Sequence, residues 1–95
     1  MTKASHIEVR IPEPLREHAG GADALEVYAG SVREALRVLR ESHPNLVQRI
    51  LTRGGDLRTY VRLFLDDEDV RSLDGLDTRL QDGRILQIVP SVAGG

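Results

Sequence analysis

One helical segment lies between two groups of strand-like segments, and this order restricts the fold more than any other feature of the chain. Ser31-Val32-Arg33-Glu34 is a capping box, in which the Ser31 hydroxyl and the Glu34 carboxylate accept hydrogen bonds from free amides at a helix start. Apolar residues then recur with helical spacing at Val32, Ala35, Leu36 and Leu39. Pro44 disfavours helical geometry in the preceding residue, so we predict that the helix ends near His43.

The segments before this helix alternate between apolar and polar residues, as half-buried strands do. Ile7–Ile11 has this alternation and stops at Pro12. Ala24–Ala29 also alternates, and Gly20-Gly21 just before it supplies the backbone freedom of a turn. We therefore predict two strands that form a hairpin.

The segments after the helix predict a short second helix and further strands. Leu46, Val47, Ile50 and Leu51 have helical spacing, and Gly54-Gly55 follows as a flexible loop. Thr59–Leu65 alternates, with Val61, Leu63 and Leu65 on one face and Tyr60, Arg62 and Phe64 on the other. After this strand we predict an acidic turn at Asp66–Asp69, a short edge strand at Val70-Arg71 and a turn or 3₁₀ segment at Leu73–Leu80. A tight turn at Asp82-Gly83 then leads into a last strand at Ile85–Val89. A helix with one apolar stripe covers a mixed sheet in two layers, so we predict an α+β fold.

Composition limits the class of protein. The 95 residues suffice for one core but not for two, so an elaborate active site would have to be shared with a partner. A formal net charge of −2 gives no basic excess of the kind that nucleic-acid binding requires, and the absence of cysteine excludes thiolate chemistry from the chain's own side chains. No segment has the roughly 18 apolar residues of a membrane span, and the first residues lack an apolar export segment. We expect a cytoplasmic protein.

The chain ends in Val92-Ala93-Gly94-Gly95, directly after the last predicted strand. Glycine has no Cβ, so Gly94 and Gly95 can thread a narrow cleft, and the terminal carboxylate stays unhindered toward attack or activation. This makes the Gly95 carboxylate a candidate reactive group that a site on another protein would process. A frayed terminus without function is the alternative.

The outer face of the predicted sheet holds a candidate docking surface close to where the tail leaves. Its four members are Tyr60, Phe64, Ile85 and Val89. We favour Ile85 and Val89 on the outer face, although the alternation also allows Leu86 and Ile88 to take that position. A concentrated apolar patch on a small protein often marks a partner site, and packing in the core is the alternative.

Other candidate groups are better explained by structure than by chemistry. The acidic run Asp66–Asp69 lacks the spaced ligands and the glycine of a calcium loop, so we read it as a solvated turn. His6, His18 and His43 lack metal-type spacing and are expected at the surface or as helix caps. Ser31 has a capping role and no partner base, and neither glycine pair has the spacing of a phosphate loop.

The order of elements and several motifs resemble the β-grasp sulfur carriers, which include the molybdopterin synthase small subunit and the thiamine sulfur carrier. The motifs are Asp66–Arg71, Asp82-Gly83 and Pro90–Gly95. The segments Ile11-Pro12, Leu15–Gly21 and Val61–Arg71 look closest to the sulfur carrier of cysteine biosynthesis. The resemblance covers the whole chain and implies a β-grasp domain over residues 1–90, with a flexible tail over residues 91–95.

This resemblance implies a cycle centred on Gly95. A ubiquitin-activating-type enzyme would use ATP to adenylate the Gly95 carboxylate, and a sulfur donor would then convert it to a thiocarboxylate. Ala93 and Gly94 would thread the partner's cleft. The carrier itself would bind no cofactor or metal and would not be an enzyme, because ATP, magnesium and zinc would belong to the activating partner.

The resemblance leaves the sulfur acceptor open. In a cysteine-type pathway the acceptor would be an aminoacrylate on a pyridoxal-phosphate enzyme, and a peptidase would later release cysteine and regenerate Gly95. In a molybdopterin-type pathway the partner would be the large subunit of molybdopterin synthase. Two other hypotheses remain: a ubiquitin-like modifier attached to lysines through Gly95, and a binding module for which Gly95 is dispensable.

Overall fold

Five strands form one mixed sheet in the computed structural model, which describes residues 4–90. The strands are β1 (Ser5–Arg10), β2 (Ala24–Ala29), β3 (Val61–Leu65), β4 (Glu68–Asp69) and β5 (Ile85–Pro90). Their order in the sheet is β2-β1-β5-β3-β4, with β1 parallel to β5 and the other pairs antiparallel. The predicted hairpin of the first two strands is confirmed, and β5, the last strand in sequence, lies at the centre of the sheet.

The main helix, α1 (Val32–Ser42), begins and ends where its sequence signals predict. The Ser31 hydroxyl accepts a hydrogen bond from the Glu34 amide at 3.2 Å, and the Glu34 carboxylate accepts one from the Gly30 amide. His43 follows as the C-cap, and its amide donates to the Leu39 carbonyl at 2.6 Å. A second helix, α2 (Pro44–Gln48), follows directly, as predicted.

The core lies between the sheet and these helices. The sheet contributes the inward-facing members of each alternating strand, including Val61, Leu63, Leu65, Leu86 and Ile88. The helical layer contributes the apolar stripe of α1 and all four predicted apolar residues around α2, namely Val32, Ala35, Leu36, Leu39, Leu46, Val47, Ile50 and Leu51. The predicted two-layer α+β architecture is confirmed.

The edge strand predicted at Val70-Arg71 is wrong. Pairing with β3 begins earlier, at Glu68 opposite Leu65, because a two-residue turn reverses the chain there. Asp66 adopts a left-handed conformation in that turn, with φ of 57°. Glu68 and Asp69 of the acidic run therefore belong to β4, and residues Val70–Ser72 form a 3₁₀ helix that buries Val70 completely.

A 3₁₀ helix that the strand patterns did not predict occupies Glu13–Ala19, between β1 and β2. Its start contains Pro14, and it buries Leu15 and Ala19. Gly20 and Gly21, with φ of 67° and 85°, then turn the chain into β2 as predicted. A third 3₁₀ helix, Gly75–Asp77, confirms the short helical segment expected within Leu73–Leu80.

Candidate functional site

The tail begins at the end of the central strand. Pro90 is the last residue of β5, where it lies opposite Val61 of β3. Proline has no amide hydrogen and cannot donate to a sheet ladder, so it suits the end of a central strand. Ala93, Gly94 and Gly95, the predicted reactive and threading residues, lie outside the described residues.

The predicted orientation of β5 is confirmed by burial. Leu86 and Ile88 are 0% and 1% exposed and face the core. Ile85 and Val89 are only half-buried and lie on the opposite, outer face of the sheet. The alternation of this strand therefore leaves two apolar side chains on the face that the helices do not cover.

The register of β3 against β5 brings the candidate docking residues together. Phe64 lies directly opposite Gln87, so Ile85 and Val89 are its diagonal neighbours on the outer face. Diagonal neighbours of this kind are about 7–8 Å apart, within reach of an aromatic side chain. Phe64 is half-buried, and Tyr60, 46% exposed, comes directly before the Val61–Pro90 pair, beside the point where the tail begins.

Two polar residues interrupt this surface, and neither was among the predicted docking residues. Arg62 lies opposite Val89, and Gln87 lies opposite Phe64. Both are exposed. The alternation of β3 already placed Arg62 on the outer face beside Phe64. Strand parity was therefore the sequence signal that could have identified Arg62 as part of this surface. The surface that could meet a partner is consequently mixed, with apolar side chains separated by a guanidinium and an amide.

The rest of the outer face is charged. Glu8 of β1 lies directly opposite Glu26 of β2, an arrangement that is unfavourable for like charges. Arg10 Nε donates to Glu8 at 2.8 Å, and His6 Nε2 forms a short hydrogen bond with Glu26. His6 also stacks against Tyr28, with ring centroids 4.9 Å apart. These contacts offset the repulsion and give the β1–β2 side of this face a polar character.

Asp66 joins the end of β3 to the start of β5. Its carboxylate accepts hydrogen bonds from the Arg84 guanidinium and, at 3.2 Å, from the Ile85 amide, while its own amide donates to the Ile85 carbonyl at 2.8 Å. The hydrogen bond from Arg84 and then that from Ile85 lower the pKa of Asp66 from its usual value of 3.8, because both favour the charged carboxylate. Asp66 thus aligns β5 from the end opposite the tail.

The three histidines lie at separate places in the fold. His6 is on β1, His18 is 3.5 Å from the Glu17 carboxylate, and His43 caps α1 while its ring contacts the Ser42 hydroxyl at 2.8 Å. Within residues 4–90, no group of three or more His, Asp or Glu side chains is arranged to hold a metal ion. No helix in the same span is long and apolar enough to cross a membrane.

Comparisons with known proteins agree on the class of this chain. The sulfur carrier protein CysO of Mycobacterium tuberculosis is 32% identical over 92 residues, which cover 95% of this chain and 99% of that protein. A crystal structure of the Amycolatopsis orientalis BexX/CysO complex contains a similar chain, with a TM-score of 0.86 and 35% identity over 94% of this chain and 99% of that one. The solution structure of small archaeal modifier protein 1 from Methanosarcina acetivorans has a TM-score of 0.87 and 27% identity, covering 99% of this chain and 100% of that one.

These likenesses extend over almost the full length of each relative and identify the fold as the ubiquitin-like β-grasp. The model of the ThiS family matches residues 9–95, from β1 through the terminal glycines. This chain belongs to the ThiS family.

Proposed function

We propose that this protein is a sulfur carrier whose Gly95 carboxylate is adenylated and then converted to a thiocarboxylate. The observation that carries the proposal is that the ThiS family model matches the chain through its last two residues, Gly94 and Gly95. The position of β5 supports it, because a strand held on both sides by β1 and β3 presents the tail from a rigid base.

The chemistry needs activation by a partner. A carboxylate is a poor electrophile, so an oxygen of Gly95 attacks the α-phosphate of ATP on the activating enzyme and releases pyrophosphate. Hydrosulfide then attacks the acyl carbon and displaces AMP, and loss of its proton leaves a thiocarboxylate on the carrier. Ala93 and Gly94 present little side-chain bulk and so fit a narrow cleft that leads to the partner's active site. The carrier supplies the reacting carboxylate and the partner supplies catalysis.

The outer-face surface of Phe64, Tyr60, Val89 and Ile85 docks the partners in this proposal. The location of these residues supports this role. Val89 and Tyr60 flank the place where the tail begins, and Phe64 lies between Val89 and Ile85 as a diagonal neighbour of both. Arg62 and Gln87 add polar contacts within the same surface. The activating enzyme and the sulfur-acceptor enzyme both need access to the tail, so they compete for this surface.

A cysteine-type pathway is our preferred setting for the sulfur transfer. Its support is the likeness to two proteins named CysO, one at 32% and one at 35% identity. The acceptor would then be a pyridoxal-phosphate enzyme, and a peptidase would restore the Gly95 carboxylate. A molybdopterin-type acceptor is the alternative within the same chemistry, and a cytoplasmic location suits either.

A second function, attachment to lysines of other proteins through Gly95, is favoured by the likeness to an archaeal modifier protein. Both functions begin with adenylation, so they differ only in the product. Incubation with an activating enzyme, ATP and sulfide, followed by intact-mass analysis, should show the replacement of one oxygen by sulfur in a carrier. Lysine-linked adducts in a lysate would instead indicate a modifier.

Removal of Gly95 is the decisive test of the reactive group. We expect that deletion of Gly95, or extension by one residue beyond it, abolishes thiocarboxylate formation, because the carboxylate is lost from its position. Thermal stability should stay nearly unchanged, since a chain terminus contributes little to core burial. Normal sulfur loading of the deletion variant would refute the proposal.

A further inference from the structure

Three arginines from different parts of the chain converge on one cavity beside α1 and α2. Arg40 comes from the last turn of α1, Arg53 from the loop after α2, and Arg58 from the segment that leads to β3. The cavity has a volume of about 390 Å³. Its lining includes no residue of the sheet and none of the proposed docking residues, so this place is separate from the proposed carrier site.

The charge of this cavity contrasts with that of the whole chain. The chain has a formal net charge of −2, yet no aspartate or glutamate lines the cavity. Across residues 4–90 the ion pairs involve other arginines and histidines, and none of the three cavity arginines lies within salt-bridge distance of a carboxylate. Three arginines with no carboxylate of residues 4–90 within salt-bridge distance create a positive potential that favours an anion.

Backbone contacts hold the cavity in shape. Arg58 Nε donates to the Gln48 carbonyl at 2.8 Å, and the Arg58 amide donates to the Ile50 carbonyl at 3.0 Å. The Thr52 amide donates to the Asp56 carbonyl at 2.7 Å, which closes the loop that carries Arg53. Because the Arg58 side chain is positioned through Nε, its terminal nitrogens keep their donors for a ligand.

The floor of the cavity is apolar. Val47 and Leu51 are 2% and 8% exposed, and Pro44 lies beside them in the lining. A simple inorganic ion would contact the arginines but leave the exposed Pro44 ring uncovered. A ligand that combines a compact anion with an apolar group would use both parts of the cavity.

We propose that this cavity binds a small phosphate monoester that carries an apolar group. Guanidinium groups bind phosphate oxygens through paired, charge-assisted hydrogen bonds, and three arginines line this one cavity. A concave site of this volume suits a compact dianion better than an acidic peptide, whose carboxylates are spread along an extended chain. This inference does not rest on the proposed sulfur-carrier function.

Titration of the full chain with phenyl phosphate at low salt, followed by amide chemical shifts, tests this proposal. We expect saturable shifts confined to residues 40–58, and weaker binding of both inorganic phosphate and phenol, each of which lacks one part of the ligand. The double variant Arg40→Gln and Arg53→Gln should bind phenyl phosphate at least about tenfold more weakly, the factor that corresponds to one lost charge-assisted hydrogen bond.

Arg37→Gln is the matched control, because it removes the same charge from α1 outside the cavity lining. It should bind phenyl phosphate as the original chain does. Shifts that do not saturate, equal weakening by Arg37→Gln, or tighter binding of hexaglutamate than of phenyl phosphate at this cavity would each overturn the proposal. Gly95 loading is not part of this test, so its outcome is independent of the sulfur-carrier proposal.

Discussion

Asp66 shows how one side chain can set the geometry of the strand that carries the tail. Its backbone adopts the left-handed conformation that is uncommon for residues other than glycine, asparagine and aspartate. Its carboxylate then accepts hydrogen bonds from Arg84 and Ile85, which compensate for the strain of the turn. A lowered carboxyl pKa is the electrostatic consequence.

We expect Asp66→Asn to lower the free energy of unfolding at neutral pH by about 0.5–1 kcal/mol, the range of a partly exposed ion pair. Asparagine tolerates the left-handed turn, so the substitution removes mainly the charge. Since the folded state lowers the pKa of Asp66 below 3.8, its carboxylate stabilises the fold above that pH and loses this effect as the pH falls through the lowered value. Urea unfolding of both proteins across this pH range measures the difference.

Asp67→Asn serves as the control, because it removes the same charge from the exposed neighbour in the turn. It should change stability less than Asp66→Asn does. A difference between the original chain and Asp66→Asn that stays constant at acid pH would contradict the assigned role of the carboxylate.

At the scale of single elements, α1 depends on signals at both of its ends. Ser31 and Glu34 together satisfy two amides at the start of the helix, and Pro44 ends the helical path after His43. Between them, the buried stripe of α1 packs against the sheet. The helix therefore begins and ends where local chemistry requires it.

Ser31→Ala should lower the free energy of unfolding by about 1 kcal/mol, because the Glu34 amide loses its capping acceptor. Ser31→Asp keeps an acceptor at the same position and should retain most of the stability. Chemical denaturation of the two variants measures this comparison. Equal losses in both would show that the position matters for packing and not for capping.

The whole molecule divides into an open sheet face and a closed helical layer. Helices cover the inner face of the sheet, while Phe64, Ile85 and Val89 remain on the outer face together with charged residues of β1 and β2. The tail begins at the end of β5, the central strand of this sheet. A partner that binds both the tail and the sheet would therefore approach from the outer face of the sheet.

Replacing Phe64 with alanine should weaken binding to an activating enzyme by about 2 kcal/mol or more, as truncation of an anchoring aromatic often does. Its side chain is only half-buried, so the loss of folding stability should be below the roughly 3–5 kcal/mol of a fully buried phenylalanine. Calorimetric binding and thermal unfolding of the same variant measure the two effects.

Val38→Ala is the control for this experiment, since Val38 is an exposed apolar residue on α1, 39% accessible. Its truncation should leave binding unchanged. A Phe64→Ala variant that unfolds easily but binds normally when folded would remove Phe64 from the proposed docking surface.

Local patterns were sufficient to predict the helix and the main strands, whereas the alternation of β5 allowed either of its faces to point outward. Capping residues, prolines and two-residue alternation act between neighbours in the chain, so α1, α2 and the inward positions of β3 can be predicted without tertiary contacts. Packing against the helices decided that Leu86 and Ile88 of β5 face the core. The glycine turns at Gly20-Gly21 and Gly83 follow for the same reason, because positive φ is a property of single residues. The terminal Gly-Gly is equally local, and it alone indicated carboxylate chemistry.

Contacts between distant segments determined the rest. The pairing of Phe64 with Gln87 depends on the register between β3 and β5, which no short pattern specifies. The turn at Asp66 set where pairing with β3 began, so Glu68 and Asp69 joined the sheet in place of Val70-Arg71. Val70 is fully buried in the 3₁₀ helix that follows. No local pattern predicts that Arg40, Arg53 and Arg58 lie together. The packing of α1 against α2 and the following loop brings them to one cavity.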